Sequence, residues 1–448
     1  MTDALRGLPG DDREAPQGVR RTVLPSGLRV VTERLPGVRS AAVGLWVGVG
    51  ARDERPDEVG AAHFLEHLLF KRTPTRTAQS VAVEMDAVGG ELNAFTTKEY
   101  TCFYAHVLDE DAALAIDVVA DIALRGACDP ADVDLEREVV LEEIAMREDD
   151  PEDLVGDLLV EAVLGGHPLA RPVIGSAESI ESMTAERVRA FHGERYRPRS
   201  MVLSVAGNID HDDIVRRARA ATGGDAAAAA APAPIRSGRA AAAEGGRLVV
   251  HPHDGEQVHL AIGIPTLGRG EAELRWPLAV LNHAVGGGLS SRLFQEIRES
   301  RGLAYSVYSG IETYADAGVF SVYAGCRPDN LAEVAVQVRR ILESVGRDGL
   351  GEDECARSRG ALRGGMVLGL EDSGARMNRL GAGELARGHH IPLSESLDRI
   401  AAVTCEDVRS VARDLLARPR SAVVVGPFGD AAELPAPLFD VLGQAPAQ

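Results

Sequence analysis

Short segments of strand-like and helix-like hydrophobic pattern alternate along the first half of the chain. Apolar residues alternating with small or polar ones, or rich in Thr, Phe and Tyr, predict strands in 20–33 (around a Pro-Ser-Gly turn), 40–50 and 91–104. Apolar residues at helical spacing predict helices in 59–70, 112–124 and 132–147. This mixture predicts an α+β fold.

The two halves of the chain end alike. The pattern T-x-E-x-V-R begins at Thr184 and again at Thr404, 220 residues later. In both places it starts a helical run, and an apolar strand-like run after P-R-S follows, at Pro198 and at Pro419. Between the halves, 222–246 is rich in Ala, Gly and Pro without apolar periodicity, which is typical of a linker. The pattern predicts a tandem of two related domains.

Composition and charge narrow the function classes. Of the 448 residues, 45% are hydrophobic and 26% charged, as in ordinary globular proteins, and the net charge is −20. No basic block offsets that charge, so we exclude a nucleic-acid binder. The five cysteines are scattered without a C-x-x-C pair, which favours free thiols in a reducing compartment. Residues 1–18 carry acidic side chains and no apolar run, which predicts a disordered tail and a cytoplasmic protein without a leader peptide.

The strongest chemical signal is the pentapeptide HFLEH. His63 and His67 are four residues apart, so on a helix both imidazoles point the same way and can bind one divalent cation. Glu66 lies on the same helix and can reach a water molecule on that metal, where it would accept a proton. The order H-x-x-E-H is the inverted zincin motif. A surface helix with two exposed histidines is the alternative, because five residues also match by chance.

A third ligand is available on the helix predicted at 132–147. Glu136 and Glu143 are seven residues apart and lie on one face, whereas Glu142 lies off that face. A solvated acidic face is the ordinary interpretation of such a helix. Val139, Val140, Ile144 and Met146 nevertheless predict that the helix is packed, and buried carboxylates are costly without a cation.

These motifs resemble the pitrilysin-type zinc peptidases, the family of insulin-degrading enzyme and mitochondrial processing peptidase. The shared pattern is H-x-x-E-H followed by E-R-x-V-V-x-E-E-I, which begins here at Glu136 and places Glu143 76 residues after His67. The resemblance implies zinc held by His63, His67 and Glu143, with Glu66 as general base and Glu136 orienting a metal histidine. It covers nearly the whole chain outside the tail and linker and is closest to the short, two-domain bacterial type, similar to the beta subunit of mitochondrial processing peptidase.

The resemblance also implies a fold and a domain plan. Each domain would be a mostly antiparallel β-sheet flanked by helices, the metallohydrolase fold of mitochondrial processing peptidase. The expected parts are a disordered tail at 1–18, a catalytic zinc domain at 19–221, the linker at 222–246 and a non-catalytic homologous domain at 247–448. With one H-x-x-E-H motif, we expect one zinc ion per chain.

Substrate contacts are implied in both halves. The segment Asn93-Ala94-Phe95-Thr96 resembles the family's edge strand, where a peptide substrate adds as an extra strand; a simple hairpin strand is the alternative. Asn93, Ala94 and Phe95 are the substrate-binding residues that the resemblance implies. Arg298 and Tyr305 resemble a pair that contacts substrate near the scissile bond and can stabilise charge on the carbonyl oxygen. The alternative is that Arg298 pairs with Glu296 or Glu299 and Tyr305 lies in the core.

The resulting hypothesis is a zinc-dependent endopeptidase that cleaves peptides or unfolded polypeptides by attack of a zinc-bound water. Short family members pair as clamshell dimers, so the resemblance implies a homodimer in which Arg298 and Tyr305 reach the partner's site. Two alternatives stay open: a catalytic subunit that needs a separate zinc-less partner, and a non-catalytic scaffold. Neither nucleic acid nor a membrane is expected as a partner, and the ligand types also allow cobalt or manganese.

Overall fold

The computed structural model describes residues 18–224, 229–238, 246–271 and 273–443. They form two compact units, and neither unit is a contiguous half of the sequence. The first unit holds the chain up to Glu142, with Pro172–Ile235 and Leu368–Pro392. The second holds Glu143–Arg171, Arg236–Val367 and the chain from Leu393 on. Each unit therefore takes one segment from the other half of the sequence.

The first unit is built on a six-stranded sheet of order β1-β2-β6-β3-β5-β4. Its strands are β1 (Val19–Val23), β2 (Arg29–Arg34), β3 (Ser40–Val47), β4 (Glu91–Thr96), β5 (Thr101–Leu108) and β6 (Met201–Gly207). Only β2 and β6 pair in parallel. All other neighbours pair antiparallel, and β4 is an edge strand whose one neighbour is β5.

Helices cover both faces of this sheet. The helices of this unit are α1 (Ala61–Leu69), α2 (Ala78–Ala87), α3 (Ala112–Arg125), α6 (Ala177–Glu181), α7 (Ala185–Arg195), α8 (His211–Ala221) and α12 (Ser373–Arg387). Helix α4 (Pro130–Glu148) begins in this unit, and its residues from Glu143 on belong to the second unit. Helix α3 packs on β3 and β5, α8 on β2, and α1 on β4. Helix α12 comes from the second half of the sequence and packs on β2, β3 and β6, where Met377 and Leu380 join the core around Trp46.

The second unit repeats this plan with a five-stranded sheet of order β7-β11-β8-β10-β9. The strands are β7 (Leu248–Pro252), β8 (Val258–Thr266), β9 (Ala304–Thr313), β10 (Gly318–Cys326) and β11 (Ser421–Gly426). The helices are α5 (Pro151–Leu164), α9 (Arg275–Val285), α10 (Leu331–Asp348), α11 (Glu352–Gly369), α13 (Leu393–Ala402), α14 (Cys405–Leu416) and α15 (Ala436–Leu442). Helix α5, from the first half of the sequence, packs on β8, β10 and β11.

The two sheets correspond strand by strand. Strands β2-β6-β3-β5-β4 match β7-β11-β8-β10-β9, including one parallel pair in each sheet and an edge strand at the same end. The repeated T-x-E-x-V-R pattern starts α7 and α14 in the same way, because Thr184 and Thr404 each accept a hydrogen bond from a backbone N–H of the first turn. The α+β fold of two related, mostly antiparallel domains is confirmed.

One expectation about packing is wrong in part. Helix α4 buries Val140 and Ile144, as expected, but Val139 and Met146 are 44% and 62% exposed. The helix therefore packs along a single stripe, because it lies on the surface of the fold rather than within it.

The predicted linker begins where α8 ends. Within it, the described residues 229–238 contain no helix or strand, and Ala230 and Ala233 donate backbone hydrogen bonds to the carbonyls of Pro25 and Arg199. The rest of the linker, apart from its first three residues and its last, lies outside the described residues, as does the predicted tail except Gly18. In the described part of the chain, every helix is too short or too polar to cross a lipid bilayer.

Candidate metal centre

Helix α1, which carries HFLEH, is fixed at its N-terminus by a buried carboxylate. Glu54 is 5% exposed, and its two oxygens accept hydrogen bonds from the backbone N–H groups of Gly60 (2.9 Å) and Ala62 (2.8 Å). Gly60 has φ of +87°, and a Cβ there would lie 2.9 Å from the carbonyl oxygen of Ile174. A glycine is therefore required at this helix start, and the carboxylate complements the helix dipole.

The apolar face of α1 decides which side chains point outward. Phe64, Leu65, Leu68 and Leu69 are fully buried, so His63, Glu66 and His67 lie together on the opposite, half-buried face. The imidazole rings of the two histidines have centroids 4.8 Å apart at an interplanar angle of 63°. Helical periodicity thus produces the two-histidine arrangement that the sequence predicts.

Glu143 completes a set of three donors. One ligand atom from each of His63, His67 and Glu143 lies within 4.8 Å of the others, and all three residues are half-buried. Zinc binds imidazole nitrogen and carboxylate oxygen at about 2.0–2.2 Å, and three protein ligands leave a fourth position open. The donor set therefore fits one zinc ion with an open position. Among the described residues, this is the one group of three or more His, Cys, Asp or Glu side chains that meets a metal-binding separation.

Glu136 lies next to the metal histidine that α1 presents. Its Oε2 atom is 3.2 Å from Nδ1 of His67. Its other oxygen forms an ion pair with the ammonium of Lys71. A carboxylate that accepts a hydrogen bond from Nδ1–H leaves Nε2 as the free donor atom for a metal. Lys71 was not predicted as a site residue from the sequence, although it lies four residues after His67. Its ammonium supplies part of the positive charge that the buried Glu136 carboxylate was expected to receive from a metal alone.

Glu66 is held by a residue of the edge strand. Thr96, the last residue of β4, donates a hydrogen bond from Oγ1 to Oε2 of Glu66 at 2.5 Å. The sequence pointed to Asn93, Ala94 and Phe95 in the same strand, but not to Thr96 as a site residue. The only sequence signal is its position at the end of that segment.

The predicted substrate strand is the edge strand β4. Asn93 is exposed and Ala94 is buried. Phe95 packs edge-on against Trp46, with ring centroids 5.8 Å apart, and against Tyr104 at 6.0 Å. Among the described residues, one long edge of β4 has no strand neighbour in the sheet, which is the geometry that peptide addition needs.

Arg298 and Tyr305 lie together in the second unit. The Arg298 guanidinium is 5.0 Å from the Tyr305 ring centroid and 4.9 Å from that of Phe294. Arg298 belongs to a π-helical turn, Phe294–Glu299, and Tyr305 sits at an irregularity in the pairing of β9 with β10. A π-helical turn and an irregularity in strand pairing each change the direction in which nearby side chains point. Tyr305 is 79% exposed, so the alternative that it lies in the core is wrong.

The ion pair expected under that alternative belongs to a different arginine. Arg301, not Arg298, lies 3.4 Å from Glu296. The Arg298 guanidinium instead contacts the aromatic rings of Phe294 and Tyr305.

Other histidines have local roles. Nδ1 of His167 accepts a hydrogen bond from the backbone N–H of Leu169 at 3.1 Å and so stabilises a local turn. His259, in β8, is half-buried, and its Nδ1 is 2.8 Å from the Tyr323 hydroxyl. Burial lowers the pKa of His259 from its ordinary value.

The chain matches known protein families and individual proteins over most of its length. The family model described as Insulinase (Peptidase family M16) matches residues 29–177, and the model described as Peptidase M16 inactive domain matches residues 182–362. A protein of Mycobacterium tuberculosis named an uncharacterized zinc protease is 54% identical over 432 residues, covering 96% of this chain and 98% of that protein. The chain belongs to the M16 peptidase family.

More distant M16 relatives have the same extent. A Bacillus subtilis protein, also named an uncharacterized zinc protease, is 38% identical over 416 residues and covers 92% of this chain and 99% of that protein. Two solved structures each align with a TM-score of 0.82: an M16 inactive domain from Pseudomonas fluorescens (20% identity, 92% and 98% of the two chains) and a Helicobacter pylori protease (22%, 91% and 99%). These structures support the fold, and the short two-domain form of the family is confirmed.

Proposed function

We propose that this M16 family member is a zinc-dependent endopeptidase that cleaves peptides or unfolded polypeptides. The observation that carries the proposal is the convergence of donor atoms from His63, His67 and Glu143 on one side of α1. Glu66 projects from the same helix, between the two histidines in sequence. A structural zinc site is closed by four protein ligands, whereas three ligands beside an acidic side chain are typical of hydrolytic sites.

The protein's own residues would divide the work as follows. His63, His67 and Glu143 would hold the zinc ion, which when bound polarises a carbonyl and makes water more acidic. Glu66, whose Oε2 accepts a hydrogen bond from Thr96, would accept the proton of the attacking water. Glu66 would then deliver this proton to the leaving amide nitrogen.

We propose β4 as the strand that receives the substrate backbone. Its open edge can pair with an extended peptide, and backbone pairing tolerates many sequences. The net charge of −20 favours the approach of basic segments. Asn93, Ala94 and Phe95 would contact the added strand, and Thr96 would link that strand's position to the general base.

We further propose that two chains pair and that Arg298 and Tyr305 act at the partner's site. The support is that both side chains are held together at the surface of the second unit, with Tyr305 largely in solvent. Their cationic and hydroxyl groups could stabilise negative charge on the scissile carbonyl oxygen.

The test is turnover of a short quenched fluorescent peptide. Activity should disappear with a chelator, return with zinc, and fall by about 10² or more in Glu66→Gln, because general-base catalysis contributes about 10²–10⁴. Glu142→Gln is the matched control, since Glu142 is an exposed glutamate beside a ligand on α4. Activity that survives metal removal, or survives Glu66→Gln, refutes the mechanism.

Two inactive results separate the alternatives. A protein that binds zinc stoichiometrically but cleaves none of a varied peptide set supports a subunit that needs a partner. A protein that neither binds zinc nor cleaves supports a scaffold.

A further inference from the structure

Lys71 lies immediately beyond the metal-binding helix in a backbone position that is fixed on both sides. Its N–H donates to the carbonyl of Leu68 at 3.1 Å, and its carbonyl accepts from the N–H of Ala78 at 2.9 Å. Its side chain reaches α4 and pairs with Glu136, whose side chain is almost fully buried. Lys71 is one of only two lysines in the sequence.

We infer that Lys71 is a positioning residue for the metal centre: its ammonium fixes the Glu136 carboxylate, which in turn fixes the ring and tautomer of His67. This inference rests on the proposed function, because it concerns affinity for the zinc ion that His67 would bind. It assigns to Lys71 no contact with metal or substrate.

The physical basis is that the two oxygens of the Glu136 carboxylate contact different partners. One oxygen of Glu136 accepts from Lys71 and the other lies at Nδ1 of His67, so the two contacts together define the carboxylate plane. Without the ammonium, Glu136 would be a buried charge with less compensation and would turn toward water. The hydrogen bond to His67 would then be lost, and with it the preference for a free Nε2.

A second effect of Lys71 has the opposite sign. An ammonium near a divalent cation repels it, so removing Lys71 would by itself tighten zinc binding. The two effects therefore make opposite predictions for the same substitution, and the measured direction decides between them.

The neighbouring residue provides a matched control. Arg72 pairs with Asp132, one turn before Glu136 on α4, through Nε–Oδ2 and Nη2–Oδ1 distances of 2.5 and 2.8 Å. This ion pair joins the same two segments of chain. It contacts Asp132 rather than Glu136, so it lacks the link to His67.

The first measurement is zinc affinity by competition with a fluorescent chelator, for the full-length protein. Lys71→Met should weaken zinc binding by about 10-fold, at the lower end of the loss seen when a partner of a metal ligand is removed. Lys71→Arg should recover most of it, and Arg72→Met should stay within about threefold of the parent, since its ion pair lies outside the chain of contacts to the ligand. Unchanged or tighter zinc binding in Lys71→Met, or an equal loss in Arg72→Met, overturns the inference.

A double-mutant cycle tests the route through Glu136. In a Glu136→Gln background, Lys71→Met should have little further effect on zinc affinity, because the ion pair is already absent. Equal effects of Lys71→Met in both backgrounds would show that the lysine acts on the metal directly and would overturn the inference.

Crystal structures of the metal-free parent and Lys71→Met separate this inference from the proposed function. We expect Glu136 to leave Nδ1 of His67 in the variant and to stay there in the parent. If Glu136 keeps its place without Lys71, the positioning role is wrong even when the parent binds zinc and cleaves peptides. If the carboxylate moves as expected but the parent never binds zinc, the peptidase proposal fails and the positioning of His67 stands.

Discussion

Gly381→Ala should destabilise the first unit, although alanine is the better helix former. Gly381 lies in α12, against the indole of Trp46, which is 1% exposed. A Cβ on Gly381 would lie 2.0 Å from Nε1 and 2.3 Å from Cε2 of that ring. The indole cannot retreat freely, because Nε1 donates to Oγ of Ser204 at 2.8 Å and the ring packs on Phe95 and Tyr100.

The magnitude follows from three contributions. Overpacking of a filled core costs about 1–3 kcal/mol. A displaced indole also loses its hydrogen bond to Ser204, about 1 kcal/mol. Replacing a helical glycine with alanine returns about 1 kcal/mol. The expected net loss in the free energy of unfolding is about 1–3 kcal/mol, the sum of these three effects.

Gly193→Ala is the matched control in the same unit. Gly193 lies in α7, is exposed, and a Cβ there would meet nothing within 4 Å. This variant should therefore gain about 0.5–1 kcal/mol, the helix propensity alone.

The assay is urea unfolding followed by tryptophan fluorescence in a Trp276→Phe background. Because the chain has two tryptophans, the signal then comes from Trp46 alone, in the first unit. If Gly381→Ala is as stable as the parent, or if the free energy of unfolding shifts in the same direction in both variants, close packing of α12 on Trp46 is refuted.

Three further predictions follow from the contacts already described. Thr96→Val should lower kcat of the proposed peptidase activity by about 10-fold with little change in KM, since one charge-assisted hydrogen bond is worth about 1.5–3 kcal/mol; an unchanged kcat in steady-state kinetics contradicts the orienting role. Under the proposed sharing of sites between two chains, mixing inactive Glu66→Gln and Arg298→Ala chains should restore about one quarter of the parent turnover, because half of randomly mixed dimers would carry one intact site; no recovery after confirmed subunit exchange rules out sharing between chains. Burial raises the pKa of Asp121, but hydrogen bonds from Thr73, Arg125 and Arg76 outweigh burial and hold this pKa below its ordinary 3.8. The stability from Asp121 is thus present above that value and lost as pH falls through the lower folded-state pKa, so Asp121→Asn should flatten acid unfolding below about pH 4; an unaltered slope would contradict this.

The local parts of the metal centre are determined by the sequence. His63 and His67 share a face because a helix repeats every 3.6 residues, and the buried Phe64, Leu65 and Leu68 fix which face it is. Glu136 and Glu143 lie two turns apart on α4 for the same reason. The duplication was also visible, because T-x-E-x-V-R starts an equivalent helix in each half.

Contacts between distant segments were decided only by the tertiary structure. Thr96 reaches Glu66 because α1 packs on β4, and no periodicity relates residues 30 apart. Tyr305 lies in β9, and its exposure depends on an irregularity in strand pairing that the sequence does not reveal.

The exchange of helices between the units is the clearest case. Helices α5 and α12 each have an apolar face, as amphipathic helices in any domain do, and their sequences do not say which sheet that face will meet. The choice depends on shape at the contact: Gly381 admits the Trp46 indole on one sheet, and Gly263 admits Leu159 and Val163 of α5 on the other. The hydrophobic pattern thus determines that a helix packs but not which sheet it packs on, because burial of apolar area is non-directional. Close packing of particular side chains, which exists only once the sheets have formed, determines where it packs.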